Sequence, residues 1–147
     1  MRVKCLGFFV LCVFTFALRA EVVDVGVDDA LRLQAAGVPV IDVRTAGEWQ
    51  ETGIIAGSRL LTFFDEQGRV DKPAWLTKLA TIAGPQQPLV VICRSGKRSQ
   101  AVSDFLSQEA GYATVYNVRG GIVAWNREGR PLAPLSPLAA CPAGARC

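Results

Sequence analysis

Short, nearly uninterrupted apolar runs recur along the chain and are separated by longer amphipathic segments. The runs are rich in Val and Ile, as strands buried on both faces of a parallel sheet usually are. They span residues 38–43, 88–93 and 114–118, with weaker examples near Val22 and over residues 58–63. This pattern predicts a central, mainly parallel sheet.

The segments between these runs carry apolar residues at helical spacing. They cover residues 27–36, 45–52, 72–83 and 99–110, and a short helix is expected after Gly120 and Gly121. Within residues 72–83 the apolar side chains form one stripe, which indicates core packing rather than a cofactor site. The alternation of strands and helices predicts an α/β fold in which helices flank both faces of the sheet.

The N-terminal stretch differs from the rest of the chain. Arg2 and Lys4 precede an uncharged run over residues 5–18, a pattern typical of a secretory signal peptide. Cleavage is expected after Ala17 or Ala20. The run is shorter than the ~20 apolar residues that cross a membrane, so we expect no stable membrane anchor after cleavage. The protein is therefore expected to be periplasmic or otherwise exported.

The C-terminal stretch is rich in Pro and Ala and nearly uncharged. Such composition predicts an extended tail over residues 131–147. With a signal peptide over residues 1–20, the remaining residues 21–130 are expected to form a single domain.

Composition limits the classes of function. The chain has 16 basic and 13 acidic residues, and removal of Arg2, Lys4 and Arg19 with the leader would make these numbers equal. A neutral domain without a basic stripe gives no reason to expect nucleic-acid binding. The chain has no histidine, which excludes Cys-His and Ser-His-Asp hydrolases and histidine-ligated zinc. We expect neither a metal nor a cofactor.

Three of the five cysteines lie outside the leader. In an oxidising compartment, Cys141 and Cys147 either close a small disulfide ring or stay unpaired, and both alternatives are open. The ring would leave Cys93 as a free thiol.

Cys93 is the strongest candidate for chemistry. It ends a predicted buried strand, and in open α/β sheets ligands bind beyond the carboxyl ends of the strands. The residues between it and the next helix include Gly96 and the cations Arg94, Lys97 and Arg98. Backbone amides, a helix N-terminus and these cations together form a cup for an anion. The same groups stabilise a thiolate, so the sulfur needs no histidine to become reactive.

The length of this loop indicates which anion it suits. Cysteine-dependent phosphatases use the pattern C-x-x-x-x-x-R, in which the arginine grips a phosphoryl group. Here Arg98 stands one position earlier, and Ser99 takes the place of that arginine. The shorter loop suits a single additional sulfur atom on Cys93 better than a tetrahedral phosphate.

Three segments together resemble the rhodanese-like sulfurtransferases, in particular the small single-domain type. VIDVRTAGEWQETGIIAGSRLL is similar to the family's upstream signature, CRSGKRS to its active-site loop, and VYNVRGGIVAWNREGRPL to its last strand and helix. The segments follow the family's order and cover roughly residues 22–131. The resemblance implies a rhodanese-like fold.

The resemblance also implies a ping-pong transfer of sulfur. Cys93 would attack a small anionic donor such as thiosulfate, become a persulfide, and pass the sulfur to a thiol, to cyanide or to a protein acceptor. The persulfide and the donor would be bound by the loop residues Arg94, Ser95, Gly96, Lys97, Arg98 and Ser99.

Asp42 and Arg44 match a residue pair that the family has at the end of its second strand. Our hypothesis is that Asp42, with Glu48, orients Arg98 and so makes the loop rigid. A helix-capping or surface role is the alternative for both Asp42 and Glu48.

Two other classes of function stay open. A rhodanese-like domain can be a non-catalytic partner-binding module, although the presence of Cys93 in a complete loop argues against it. In a thiol redox sensor, Cys141 or Cys147 would resolve an oxidised Cys93.

Overall fold

The computed structural model describes residues 20–135. Nearly all of the predicted signal peptide, and most of the predicted tail with Cys141 and Cys147, lie outside the described residues. In residues 20–135 the strands are β1 (Glu21–Val25), β2 (Val40–Asp42), β3 (Arg59–Leu60), β4 (Leu89–Ile92) and β5 (Thr114–Val118). The helices are α1 (Val27–Ala35), α2 (Ala46–Thr52), α3 (Lys72–Ala80), α4 (Lys97–Gln108) and α5 (Gly121–Arg127). None of these helices has the length and apolar character needed to cross a membrane.

The strands form one parallel sheet in the order β1-β5-β4-β2-β3. β4 is the central strand, and all four of its residues are buried. Because successive side chains of a strand point to opposite faces, its apolar run must be covered on both sides. The sheet confirms the α/β class and the parallel arrangement that the apolar runs predict.

Each face of the sheet packs against its own pair of helices. Leu89 and Val91 of β4 belong to a core cluster with residues of α3 and α4. Val90 and Ile92 belong to a second cluster with residues of α1 and α5. Helices therefore flank both faces, as predicted.

Several predicted boundaries differ from the structure. α4 begins at Lys97 rather than at residue 99, because Gly96 adopts a left-handed conformation with φ 91° and acts as the N-cap. α3 ends at Ala80, and the chain continues in a hydrogen-bonded turn in which the Ile82 amide donates to the Leu79 carbonyl. The earlier start of α4 places the first turn of the helix directly beside Cys93.

The crevice at the carboxyl ends of β2 and β4 is the topological switch point of the sheet. The chain leaving β2 runs to β3 on one side, whereas the chain leaving β4 runs to β5 on the other. Adjacent parallel strands whose connections diverge in this way leave a crevice in which α/β proteins bind ligands. Cys93 follows β4 and Arg44 follows β2, so both lie at this crevice.

Contacts of the domain continue beyond residue 130. Ile54 and Ala133 exchange two backbone hydrogen bonds of 2.8 Å, forming an isolated antiparallel bridge. The Trp125 indole Nε1 donates to the Pro131 carbonyl at 3.1 Å. The first residues of the expected tail are therefore paired with the domain.

Candidate active site

Cys93 lies at the floor of a loop between β4 and α4. The residue exposes 1 % of its surface, and its thiol is free. The backbone N–H of Gly96 donates to Sγ at 3.2 Å, and the hydroxyl oxygen of Ser99 lies 3.3 Å from Sγ. A buried cysteine with polar neighbours on its sulfur differs from an inert core cysteine, which is surrounded by apolar groups.

The N-terminus of α5 fixes the loop by binding its carbonyls. The amides of Ile122 and Val123 donate to the carbonyls of Cys93 and Arg94 at 2.9 and 3.0 Å. The peptide bonds are trans, so the N–H groups that follow these carbonyls point away from α5. α5 therefore turns the loop amides toward the other side of the loop.

Most loop amides have no protein partner. Within residues 20–135, the amide N–H groups of Arg94, Ser95, Lys97, Arg98 and Ser99 make no hydrogen bond to a protein acceptor. Together with the Gly96 N–H, which donates to Sγ, they give the loop beside the sulfur a set of backbone donors, strengthened by the positive end of α4. Such a set suits an anionic atom extending from Cys93.

Arg98 is held by Glu48 of α2. Two of its guanidinium nitrogens donate to the Glu48 carboxylate at 2.9 and 2.5 Å. Burial raises the pKa of Glu48, but hydrogen bonds from Arg98 and the Thr45 amide and the charge of Arg98 outweigh it and lower the pKa to about 2. The hydrogen bond to Glu48 in turn raises the pKa of Arg98. Glu48 also completes the capping box of α2 with Thr45, so it both caps the helix and holds the loop.

The hypothesis that Asp42 orients Arg98 is wrong. Asp42 accepts three hydrogen bonds from the Arg44 guanidinium: Nε donates to Oδ1 at 2.9 Å and to Oδ2 at 3.0 Å, and Nη2 donates to Oδ2 at 2.7 Å. Both residues are buried, and further Arg44 donors reach the Thr52 hydroxyl at 2.6 Å and the Gly53 carbonyl at 2.8 Å. This internal ion pair joins β2 to the end of α2, beside the loop rather than in it.

The other predicted loop residues face solvent. Arg94, Ser95 and Lys97 are exposed. Arg94 borders a cavity of about 150 Å³ in the crevice between the segments that follow β2 and β4. This cavity is lined by Arg44, Glu48, Glu51, Thr52, Arg94, Ile122, Val123 and Asn126. An exposed cation beside a small cavity can hold a small anion next to the loop.

Sequence reasoning missed Asn117. This residue of β5 is buried, and its Oδ1 lies 2.7 Å from the Ser99 hydroxyl oxygen, so it is one residue removed from the sulfur. The sequence feature that could have revealed Asn117 is a single amide side chain among the apolar residues of a buried strand. Burying an unpaired polar group is costly, so such a residue is expected to have a hydrogen-bond partner.

Fold and site together define a parallel α/β domain with a free, buried cysteine in a loop whose backbone amides lack protein partners. The model of the rhodanese-like domain matches residues 27–128. A thiosulfate sulfurtransferase of Arabidopsis thaliana is 34 % identical over 110 residues, covering 71 % of this chain and 79 % of the relative. A thiosulfate sulfurtransferase of Pseudomonas paraeruginosa is 31 % identical over 98 residues, covering 67 % and 78 %. The chain therefore belongs to the rhodanese-like family of sulfurtransferases.

Solved structures agree with this assignment. The crystal structure of a rhodanese-related protein from Thermoplasma volcanium has a TM-score of 0.57 and 31 % identity, covering 76 % of this chain and 97 % of that one. The polysulfide-sulfur transferase homodimer of Wolinella succinogenes has a TM-score of 0.59 and 26 % identity, covering 82 % and 84 %.

Proposed function

We propose that this protein transfers a sulfane sulfur from a small anionic donor such as thiosulfate to a nucleophilic acceptor through a persulfide on Cys93. The observation that carries this proposal is the arrangement of the loop. The free thiol of Cys93 accepts a hydrogen bond from the Gly96 N–H, and the other amides of its loop make no hydrogen bond to a protein acceptor. These amides can donate to an anion that grows outward from the sulfur.

The transfer proceeds in two displacements. The Cys93 thiolate attacks the outer sulfur of thiosulfate, and the sulfur–sulfur bond breaks with its electron pair leaving on sulfite. The acceptor, for example cyanide or a thiolate, then attacks the outer sulfur of the persulfide. The bond to Cys93 breaks, its electron pair returns to Sγ, and thiocyanate or a new persulfide leaves. No external oxidant or reductant is needed.

Burial of Cys93 fits the second displacement. The residue is almost fully covered, so a bulky acceptor reaches Sγ poorly. A persulfide places the reactive sulfur about 2.05 Å further out, the length of a sulfur–sulfur bond. The exposed cations Arg94 and Lys97 attract the anionic donor to the loop mouth.

We further propose that the protein is an exported, single-domain member of the family. Support comes from the charged start and uncharged run over residues 2–18, followed by one domain. Cell fractionation and N-terminal sequencing test this: export predicts a new N-terminus near Ala17 or Ala20, whereas an intact start in the cytoplasmic fraction contradicts it.

Steady-state kinetics test the catalytic proposal. With thiosulfate and cyanide varied together, the account predicts thiocyanate formation and parallel double-reciprocal lines, because sulfite leaves before the acceptor reacts. Cys93→Ser should abolish turnover while retaining the fold. Turnover that persists in Cys93→Ser, or intersecting lines, would overturn the persulfide mechanism.

A further inference from the structure

The Ser99 hydroxyl has one proton and three neighbours. Its oxygen lies 2.7 Å from Asn117 Oδ1, 3.1 Å from the Gly96 carbonyl and 3.3 Å from Cys93 Sγ. The hydroxyl can donate to only one of them at a time. The identity of that acceptor determines whether Ser99 donates to the sulfur or presents lone pairs to it.

The orientation of the Asn117 amide is determined by its other partners. Its Nδ2 lies 2.8 Å from Asp24 Oδ1 and 2.8 Å from Gln100 Oε1. Asp24 is its register partner on β1, and carboxylate oxygens accept hydrogen bonds. Nδ2 must therefore face Asp24, which leaves Oδ1 facing Ser99.

A second carboxylate fixes the Gln100 amide in the same way. Gln100 Nε2 donates to Asp104 Oδ1 at 2.9 Å, so Gln100 Oε1 is the atom that faces Asn117. Both amides thus have one orientation that satisfies all their contacts. Asn117 Oδ1 is an acceptor only, and its distance to Ser99 Oγ is the shortest of the three.

We propose that Asn117 is a positioning residue that holds the Ser99 proton away from Cys93 and so withholds one hydrogen bond from the anionic sulfur. With its proton on Asn117, Ser99 presents lone pairs to Sγ. A thiol can donate to those lone pairs, but a thiolate cannot. The Gly96 amide is then the donor that remains within hydrogen-bond distance of Sγ.

Loss of Asn117 Oδ1 would release this proton. The freed hydroxyl can then turn either to the Gly96 carbonyl or to the sulfur, and hydrogen bonds to an anion are the stronger ones. Asn117 therefore restrains the reactivity of Cys93, and it acts through Ser99. The catalytic meaning of this restraint rests on the proposed sulfur transfer, whereas the hydrogen-bond arrangement does not.

Alkylation of Cys93 in a double-mutant cycle tests the proposal. The full chain is treated with iodoacetamide at pH 7, and labelling of the Cys93 peptide is followed by mass spectrometry, which separates it from the other cysteines. Asn117→Leu should raise the labelling rate about tenfold, the lower end of the scale for one hydrogen bond to a charged group. In the Ser99→Ala background the same substitution should leave the rate unchanged, because no hydroxyl remains to be released. The rate of persulfide formation with thiosulfate should follow the same pattern.

The Ser99→Ala single variant supplies the reference rate for the second background, so that each comparison is between two proteins that differ at position 117 alone. If Asn117→Leu does not fold, Asn117→Ala replaces it, with the same expected labelling rates. Thermal unfolding is recorded for every variant to confirm that it is folded.

Equal effects of the Asn117 substitution in both backgrounds, or no increase in the Ser99 background, would overturn the proposal. Because alkylation needs no sulfur donor, a failure of sulfur transfer is distinguishable: persulfide formation would then be absent while the labelling pattern persists.

Discussion

Two glycines allow the close approach between the cysteine loop and α5. Gly121 has φ 55°, and a Cβ built there would lie 2.2 Å from the Cys93 carbonyl oxygen. Gly96 has φ 91°, and its Cβ would lie 3.0 Å from the Gly120 amide nitrogen. Side chains at these positions would separate the loop from α5, whose amides hold the Cys93 and Arg94 carbonyls.

Gly121→Ala should destabilise the domain and impair the site. We expect a loss of about 3 kcal/mol or more in the free energy of unfolding, because a left-handed conformation and a backbone overlap both oppose the new methyl group. Denaturant unfolding and the sulfur-transfer rate measure the two effects.

Gly129→Ala is the matched control for this substitution. Gly129 also has a positive φ, 67°, but a Cβ there would meet nothing within 4 Å. Gly129→Ala should lower the free energy of unfolding by only about 1 kcal/mol, because backbone strain is its only cost. Equal losses for the two substitutions would contradict the contact between Gly121 and the loop.

Asp42→Ala should lower the stability of the domain without lowering the rate of persulfide formation. The substitution leaves the buried Arg44 guanidinium without its carboxylate, which we expect to cost about 3–5 kcal/mol. Folded molecules should retain their rate of persulfide formation, because Glu48 still holds Arg98. Urea unfolding and donor-dependent labelling report the two quantities.

Arg32→Ala provides the comparison for Asp42→Ala, since it breaks the exposed pair with Asp29 and should change stability by less than about 1 kcal/mol. A loss of persulfide formation by folded Asp42→Ala, at unchanged stability, would restore the earlier view that Asp42 orients the loop.

At the scale of elements, the Glu48–Arg98 pair ties α2 to the first turn of α4. Its side chains are 20 % and 31 % exposed, so solvent screens the pair in part. Glu48 links the capping of one helix to the position of the other, and both helices border the crevice that contains the cysteine loop.

Glu48→Gln should reduce stability in a pH-dependent way. The pKa of Glu48 is lowered from 4.5 to about 2 in the folded protein. Its contribution is therefore fully present above pH 4.5 and is lost as the pH falls toward 2. At pH 7 we expect the variant to be less stable by about 1–2 kcal/mol.

Chemical unfolding across this pH range measures the difference between wild type and Glu48→Gln. The difference should shrink below pH 4.5. A difference that stays constant down to pH 2 would show that the charge of Glu48 contributes nothing.

The helices and strands were largely predictable because each type of element has a characteristic spacing of apolar residues in the sequence. The end of β4 at Cys93 followed from its apolar run, and the helices that flank the sheet followed from their spacing. The start of α4 depended on the backbone conformation of Gly96, which periodicity does not encode.

The pairing of charged residues could not be read from the sequence. From the sequence, Asp42 and Glu48 are equally good candidates to pair with Arg98. The fold shows that the Asp42 carboxylate is already hydrogen-bonded to the Arg44 guanidinium. Asn117 was overlooked for the same reason: its link to Ser99 joins β5 to α4 across 18 positions.

In the whole molecule, the segment after α5 packs against the end of α2 and completes the domain. Three hydrogen bonds made by Pro131 and Ala133 connect this segment to Trp125 and Ile54. A Cβ on Gly53 would lie 2.7 Å from the Ala133 carbonyl oxygen, which shows how closely the segment packs.

Removal of residues 131–147 should therefore destabilise the domain. We expect a loss of about 2 kcal/mol, since three hydrogen bonds are lost at about 0.5–1.5 kcal/mol each. A chain ending at Leu135 retains these bonds and is the matched control. Thermal unfolding that is the same for both truncations would contradict the closing role of the segment.

The covalent persulfide on Cys93 is tested by the mass of the purified protein after treatment with thiosulfate, without reductant or acceptor. We expect a gain of ~32 Da, located on the Cys93 peptide, absent in Cys93→Ser and removed by cyanide. A Cys93 that iodoacetamide can alkylate, but that gains no sulfur from thiosulfate or any other sulfane donor, would overturn the persulfide mechanism.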